Sequence, residues 1–145
     1  MDLYRLLVER LDDFAVFLTD PAGSVTSWHP GVENLLGYKE NEWIGKSTVI
    51  IFTPEDRAAG VPEREILRAL REGQAPDIRW HQRKDGSRVY VEGTFIALKD
   101  RSGNVLGLAK VMRDVTERKR TEDDLRRAER RQARYVARVS LLWKI

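Results

Sequence analysis

The hydrophobic pattern divides this chain into elements of two periods. Leu3, Leu7, Leu11 and Phe14 fall on one stripe, which predicts an amphipathic N-terminal helix over residues 1–13. The apolar runs FAVFLTD and SVTSW read as two short strands around DPAGS, whose Pro and Gly have the composition of a hairpin loop. PGVENLLGY and ENEWIG read as helical turns, each stopped by a glycine. VIIFTPEDR is an apolar segment ended by Pro54. In PEREILRALREGQ, Pro62 suits a first helical turn, Ile66, Leu67 and Leu70 make the stripe, and Gly73 closes the helix.

Three strands follow. DIRWHQR and SRVYVEGTFIAL are joined by KDG, and the second reaches NVLGLAKVM through KDRSG, both with the Asp/Gly chemistry of hairpin turns. The last strand poses a question of its own. It is apolar on both alternating faces, the signature of a strand covered on both sides, yet Lys110 stands in its middle. A buried lysine requires a partner.

From Asp114 the period becomes helical, and Thr121 with Asp124 suggests a capping box. Leu125, Ala128, Gln132, Tyr135, Val139 and Leu142 recur at alternating spacings of three and four, an a/d seam. So polar a helix needs a partner in water. The order of two strands, short helices, three antiparallel strands and an exit helix predicts an α+β fold, with helices gathered on one face of a five-stranded antiparallel sheet. The boundaries are an N-terminal helix at 1–12, a central domain at 13–116 and a C-terminal coiled-coil helix at 117–145.

Composition narrows the chemistry. A length of 145 residues suits one domain with an appendage. There is no cysteine, which excludes disulfides, thiolate catalysis and Cys-type zinc sites and suits a reducing compartment. No apolar signal core or membrane-length run is present, so the expected location is the cytoplasm. The net charge of +3 is concentrated between residues 113 and 138. Acids interleave the bases there at helical spacing, which favours a solvated helix face over a nucleic-acid surface.

Four segments in this order resemble the PAS domain of the S-box type. They are DPAGSVTSWHPGVENLLGY, IIFTPEDR, RKDGSRVYVEGTFIALKDRSGNVLG and RDVTERKRTEDDL, and the resemblance covers about residues 12–125. The last contains an Asp-x-Thr element, here Asp114 and Thr116, where such a domain hands over to its signalling helix. The resemblance implies a sensory or dimerisation module of bacterial signal transduction, working as a parallel homodimer that passes a ligand or partner state through its coiled coil. An output domain such as a histidine kinase would receive that state. Leu3, Leu7, Leu11, Leu125, Tyr135, Val139 and Leu142 are the expected dimer contacts. Neither His29 nor His81 has the helical context of a phosphoacceptor, and no Gly-rich ATP lid is present, so this chain is not expected to be an enzyme by itself.

The same resemblance bears on cofactors. Flavin-cysteinyl photochemistry needs a cysteine that this chain lacks, and the long helix has no histidine to ligate haem. The resemblance implies that Met112, Lys110 and Leu108 face the ligand cavity. Val91, Gly93 and Phe95 share a face of the preceding strand, and hairpin length sets Lys110 opposite Gly93, where a missing side chain makes room. His81 and, two residues back, Arg79 also face the cavity, and Trp28 is a weaker candidate. Two readings of Lys110 stay open. It pairs with an internal carboxylate, for which Glu33 is the obvious candidate, or it receives a small anionic or polar ligand. Two rivals to the sensory reading are a ligand-free dimerisation or partner-docking domain and a nucleic-acid-associated regulator.

Overall fold

The computed structural model describes residues 3–9 and 13–143. The chain divides into two units between Asp114 and Val115. The first contains α1 (Leu3–Glu9), β1 (Phe14–Thr19), α2 (Pro30–Leu36), α3 (Glu40–Trp43), a 3-10 turn (Thr48–Ile51), α4 (Pro54–Ala58), α5 (Val61–Glu72), β2 (Gln74–Gln82), β3 (Arg88–Lys99) and β4 (Val105–Asp114). The second is the helix α6 (Thr116–Trp143). Among the described residues no helix is long and apolar enough to cross a membrane.

Among the described residues the sheet is antiparallel and has four strands in the order β1-β4-β3-β2, one fewer than the sequence pattern predicts. SVTSW makes isolated bridges instead, from Val25 to Thr19 and from Ser24 to Ser47. Its backbone is divided between two neighbours: Thr26 N–H donates to Leu18, while Val25 N–H donates to Lys46 and Val25 C=O accepts from Gly45. Only a single bridge forms at each of these contacts, so the segment does not extend into a strand of the sheet.

Turn chemistry fixes the hairpins. Asp85 Oδ1 accepts from Ser87 N–H at 2.9 Å, and Asp100 Oδ1 accepts from Ser102 and Asn104 N–H at 2.8 and 2.9 Å. These Asx-type bonds hold the β2–β3 and β3–β4 turns. The resulting register sets Lys110 opposite Phe95 on β3 and Phe17 on β1, and Gly93 opposite Met112. The expected Lys110–Gly93 pairing is therefore two residues out. Gly93 is required for another reason, since a Cβ there would lie 2.7 Å from the Val111 carbonyl and 3.0 Å from Met112 Cβ.

One face of the sheet is covered by the helices. A larger apolar cluster joins Phe17, Val32, Leu36, Trp43, Phe52 and Met112, and a smaller one joins Ala69, Ala75, Phe95 and Leu108. Lys110 follows Leu108 of the smaller cluster and precedes Met112 of the larger along the inward face of β4. The α5 stripe holds in part. Ile66 and Leu70 pack half-buried against the smaller cluster, but Leu67 is exposed, and the residues buried on α5 are Pro62, Glu65 and Ala69.

Two helix ends also differ. The N-terminal helix covers Leu3–Glu9, its Leu3 and Leu7 are exposed, and Leu11 lies outside the described residues. Thr121 does not cap a helix, because α6 already begins at Thr116; its hydroxyl donates to the Glu117 carbonyl at 3.0 Å. This back-bond to the preceding turn is an ordinary mid-helix use of threonine. Along α6, Leu125, Tyr135 and Leu142 are 60%, 69% and 66% exposed.

Candidate functional site

Strand alternation on β2 directs Ala75, Asp77, Arg79 and His81 toward the helices, and on β4 it directs Leu108, Lys110 and Met112 the same way. The helix α5 packs over this face and brings Glu65 down from above. Lys110, Asp77 and His81 are each fully buried. The interior thus contains a charged cluster from three elements.

The Lys110 ammonium donates to Asp77 Oδ2 at 2.7 Å and to Glu65 Oε1. It also lies 4.6 Å from the Phe95 ring centroid and 5.3 Å from that of Phe52, so aromatic faces cover the charge where carboxylates do not. Asp77 is fully engaged. Oδ2 accepts from Lys110 and lies 2.7 Å from His81 Nε2, and Oδ1 accepts from Arg79 Nε at 2.6 Å. The other ring nitrogen of His81 donates to the Ile51 carbonyl at 2.9 Å, which ties β2 to the 3-10 turn. Phe52 packs edge-on against the imidazole.

The two carboxylates respond to burial in opposite directions. Burial pulls Asp77 upward, but the charges and hydrogen bonds of Lys110 and His81 outweigh it and hold the carboxyl well below its usual range. Glu65 is pushed up to about 7, first by burial and then by the Asp77 charge, with Lys110 opposing. Its Oε2 is buried with no hydrogen-bond partner. The guanidinium of Arg79 comes within 3.8 Å of that oxygen.

These positions answer the question posed by Lys110. Its charge is met from within the fold, by Glu65 and Asp77. Glu33, the partner expected from sequence, is exposed on α2 and lies outside the cluster. Arg79 and His81 do join Lys110. Val91 and Met112 belong to the larger apolar cluster, and Phe95 and Leu108 to the smaller. Trp28 is half-buried against the larger cluster and donates its indole N–H to the Tyr38 carbonyl at 2.9 Å. Sequence reasoning missed Asp77 and Glu65. Continuing the alternation two residues back from Arg79 reaches Asp77. Glu65 sits three residues from Pro62 and four from Ala69, in phase with the buried stripe of α5.

Near the end of β4, Asp114 Oδ2 lies 3.8 Å from Arg83 Nη2. The same guanidinium donates to the carbonyls of Leu35 and Arg88 at 3.1 and 3.0 Å and to the Ser87 hydroxyl at 3.2 Å. Arg83 thus joins α2, the β2–β3 turn and the last residue of β4. Thr116 opens α6. Among the described residues no group of His, Cys, Asp or Glu could hold a metal ion.

Comparison with known proteins agrees with this architecture. The PAS domain family matches residues 13–117, and the chain belongs to it. The chain is 40% identical over 121 residues to the two-component system protein A of Emericella nidulans, a match spanning 83% of this chain and 18% of that protein. It is 28% identical over 141 residues to the cell-division control histidine kinase PdhS of Brucella ovis, covering 86% and 13% respectively. A sensory box histidine kinase/response regulator from Burkholderia thailandensis E264 has the same fold, with a TM-score of 0.69 at 22% identity over 92% of this chain and 99% of that one. The chain thus spans less than a fifth of the length of these curated relatives.

Proposed function

We propose that this chain is the sensory module of a two-component signalling protein, and that α6 pairs with its counterpart in a second copy to carry the state of the domain to an output domain such as a histidine kinase. The observation that carries the reading is the seam of Leu125, Tyr135 and Leu142, exposed on a helix that is mostly charged as far as Arg134, with Val136, Leu141 and Trp143 exposed beside the seam at its end. An apolar stripe on so polar a helix gains stability only when another helix covers it. The kinship with two-component proteins supports the output, and the Arg83–Asp114 contact supports a route to it from α2 and the sheet.

A ligand-free version of the module has one observation in its favour. Lys110, the residue best suited to receive an anion, already has two carboxylates.

The chain contains no cysteine, so a single introduced one is a clean probe. Leu142→Cys should form a disulfide-linked dimer under mild oxidation, whereas Arg131→Cys, off the seam, should form far less. Equal cross-linking of the two variants, or none from either, would sink the reading.

A further inference from the structure

Asp77 and Glu65 share Lys110 but are otherwise unequal. Asp77 accepts on both oxygens, from Lys110, His81 and Arg79. Glu65 accepts through Oε1 alone, and its Oε2 is buried without a donor. An ionised carboxylate with one bare oxygen in an apolar interior is costly. A proton relieves that cost by removing the charge, and a second cationic donor relieves it by matching the charge.

The donor is at hand. Arg79 Nη2 lies 3.8 Å from Glu65 Oε2, too far for a hydrogen bond and about an ångström from making one. The hydrogen bond of Arg79 runs through Nε, to Asp77 Oδ1; among the described residues its Nη atoms make none, although Nη1 lies 4.0 Å from Asp56 Oδ2 and the guanidinium carbon 6.0 Å from the Phe52 ring centroid. Its side chain is 25% exposed and lines a groove of about 510 Å³ between α5 and β2, so it has room to turn. The guanidinium is a planar fork that can serve two carboxylates at once.

We propose that Glu65 is a proton-controlled switch for Arg79. When Glu65 is ionised, its Oε2 draws the guanidinium into a hydrogen bond that ties α5 to β2; when Glu65 is protonated, Arg79 remains on Asp77 alone. The proposal rests on the sensory reading above and names the signal as a proton.

The charged groups around Glu65 fit this role. Lys110 faces it from β4, Asp77 and Arg79 face it from β2, and His81 acts through Asp77. From α4, Asp56 Oδ2 lies 4.0 Å from Arg79 Nη1 and competes weakly for the guanidinium. On α5 itself, Arg64 is spent on the Ala59 carbonyl and Arg68 on Glu72, so neither neutralises Glu65. Burial has already pushed Glu65 up to about 7, whereas Asp77 stays charged throughout. Burial thus brings Glu65 into the range where a proton comes and goes, and Arg79 beside it has room to turn.

The test is an NMR titration of the isolated chain from pH 5 to 9. The side-chain carboxyl carbon of Glu65 should titrate with a midpoint within about one unit of 7, and the Arg79 side-chain nitrogens should move with the same midpoint. In Glu65→Gln the Arg79 response should vanish. Arg79→Gln, which keeps Glu65, should raise the Glu65 midpoint, because a stabilising cation is gone. A Glu65 midpoint in the ordinary carboxylate range near 4 would overturn the proposal. So would Arg79 resonances that stay flat through the Glu65 titration, or a Glu65 midpoint indifferent to Arg79→Gln. Because the titration needs no dimer, it can succeed where α6 cross-linking fails, and the reverse.

Discussion

The Lys110 ammonium lies 2.7 Å from Asp77 Oδ2, with both side chains fully buried on neighbouring inward faces of the sheet. Glu65 closes the group from α5, so one charged contact holds a helix and two strands together. It lies where the two apolar clusters meet. A ligand-binding domain could leave this space open, and here the chain's own side chains occupy it.

Removing the cation should therefore be destabilising. Lys110→Met leaves two carboxylates facing each other without it and should cost roughly 3 kcal/mol by urea denaturation. Glu33→Gln, at an exposed position outside the cluster, should stay within about 0.5 kcal/mol of wild type. The reverse ranking would restore the partner expected from sequence.

Stability should also depend on pH in a direction set by Glu65. Its native value, about 7, lies above its ordinary 4.5, so the folded state holds the proton more tightly than the unfolded chain. The contribution is fully present below the ordinary value and lost as pH rises through about 7. Asp77 behaves oppositely: its contribution is present above 3.8 and fades only as pH falls through a much lower native value. Wild type should thus lose roughly 2.5 kcal/mol relative to Glu65→Gln between pH 5 and pH 8. A difference constant across that range would show that Glu65 titrates normally.

The fold was largely legible because its signals are local. Period-two strands, Asp/Gly turns and a Pro-to-Gly helix each declare themselves within a dozen residues. SVTSW is no fifth strand because its pairing stops at isolated bridges from Ser24 and Val25, a tertiary outcome that apolar composition does not encode. At the site, alternation placed Lys110, Arg79 and His81 on the inward face. The register was misjudged by two residues, so Phe95 rather than Gly93 faces Lys110. Glu65 was lost to a more apolar-looking stripe through Leu67. A charged residue is buried on α5 only because Lys110, far away in sequence, waits beneath it.

Gly93 offers a test of packing independent of charge. Gly93→Ala would bring a Cβ to 2.7 Å from the Val111 carbonyl, forcing β3 and β4 apart. The expected loss is roughly 1–3 kcal/mol, read by thermal unfolding. A neutral outcome would mean that the two strands separate more readily than the register implies.

For the exit helix, changing both Val139 and Leu142 to Asp places four like charges in a pair of aligned seams. Sedimentation velocity at tens of micromolar should show wild type as a dimer and the variant shifted strongly toward monomer. A wild type that sediments as monomer at that concentration would remove the seam from the account.

The most direct measurement is a double-mutant cycle between Lys110 and Glu65, using Lys110→Met, Glu65→Gln and the combination at pH 8, where Glu65 is largely ionised. If the two side chains satisfy each other inside the fold, the double variant should recover much of the loss seen in Lys110→Met, with a coupling of roughly 2 kcal/mol or more. Additive losses, with coupling near zero, would contradict the Lys110–Glu65 contact, leave Asp77 as the lysine's partner in the fold, and remove the charged tie between α5 and the sheet.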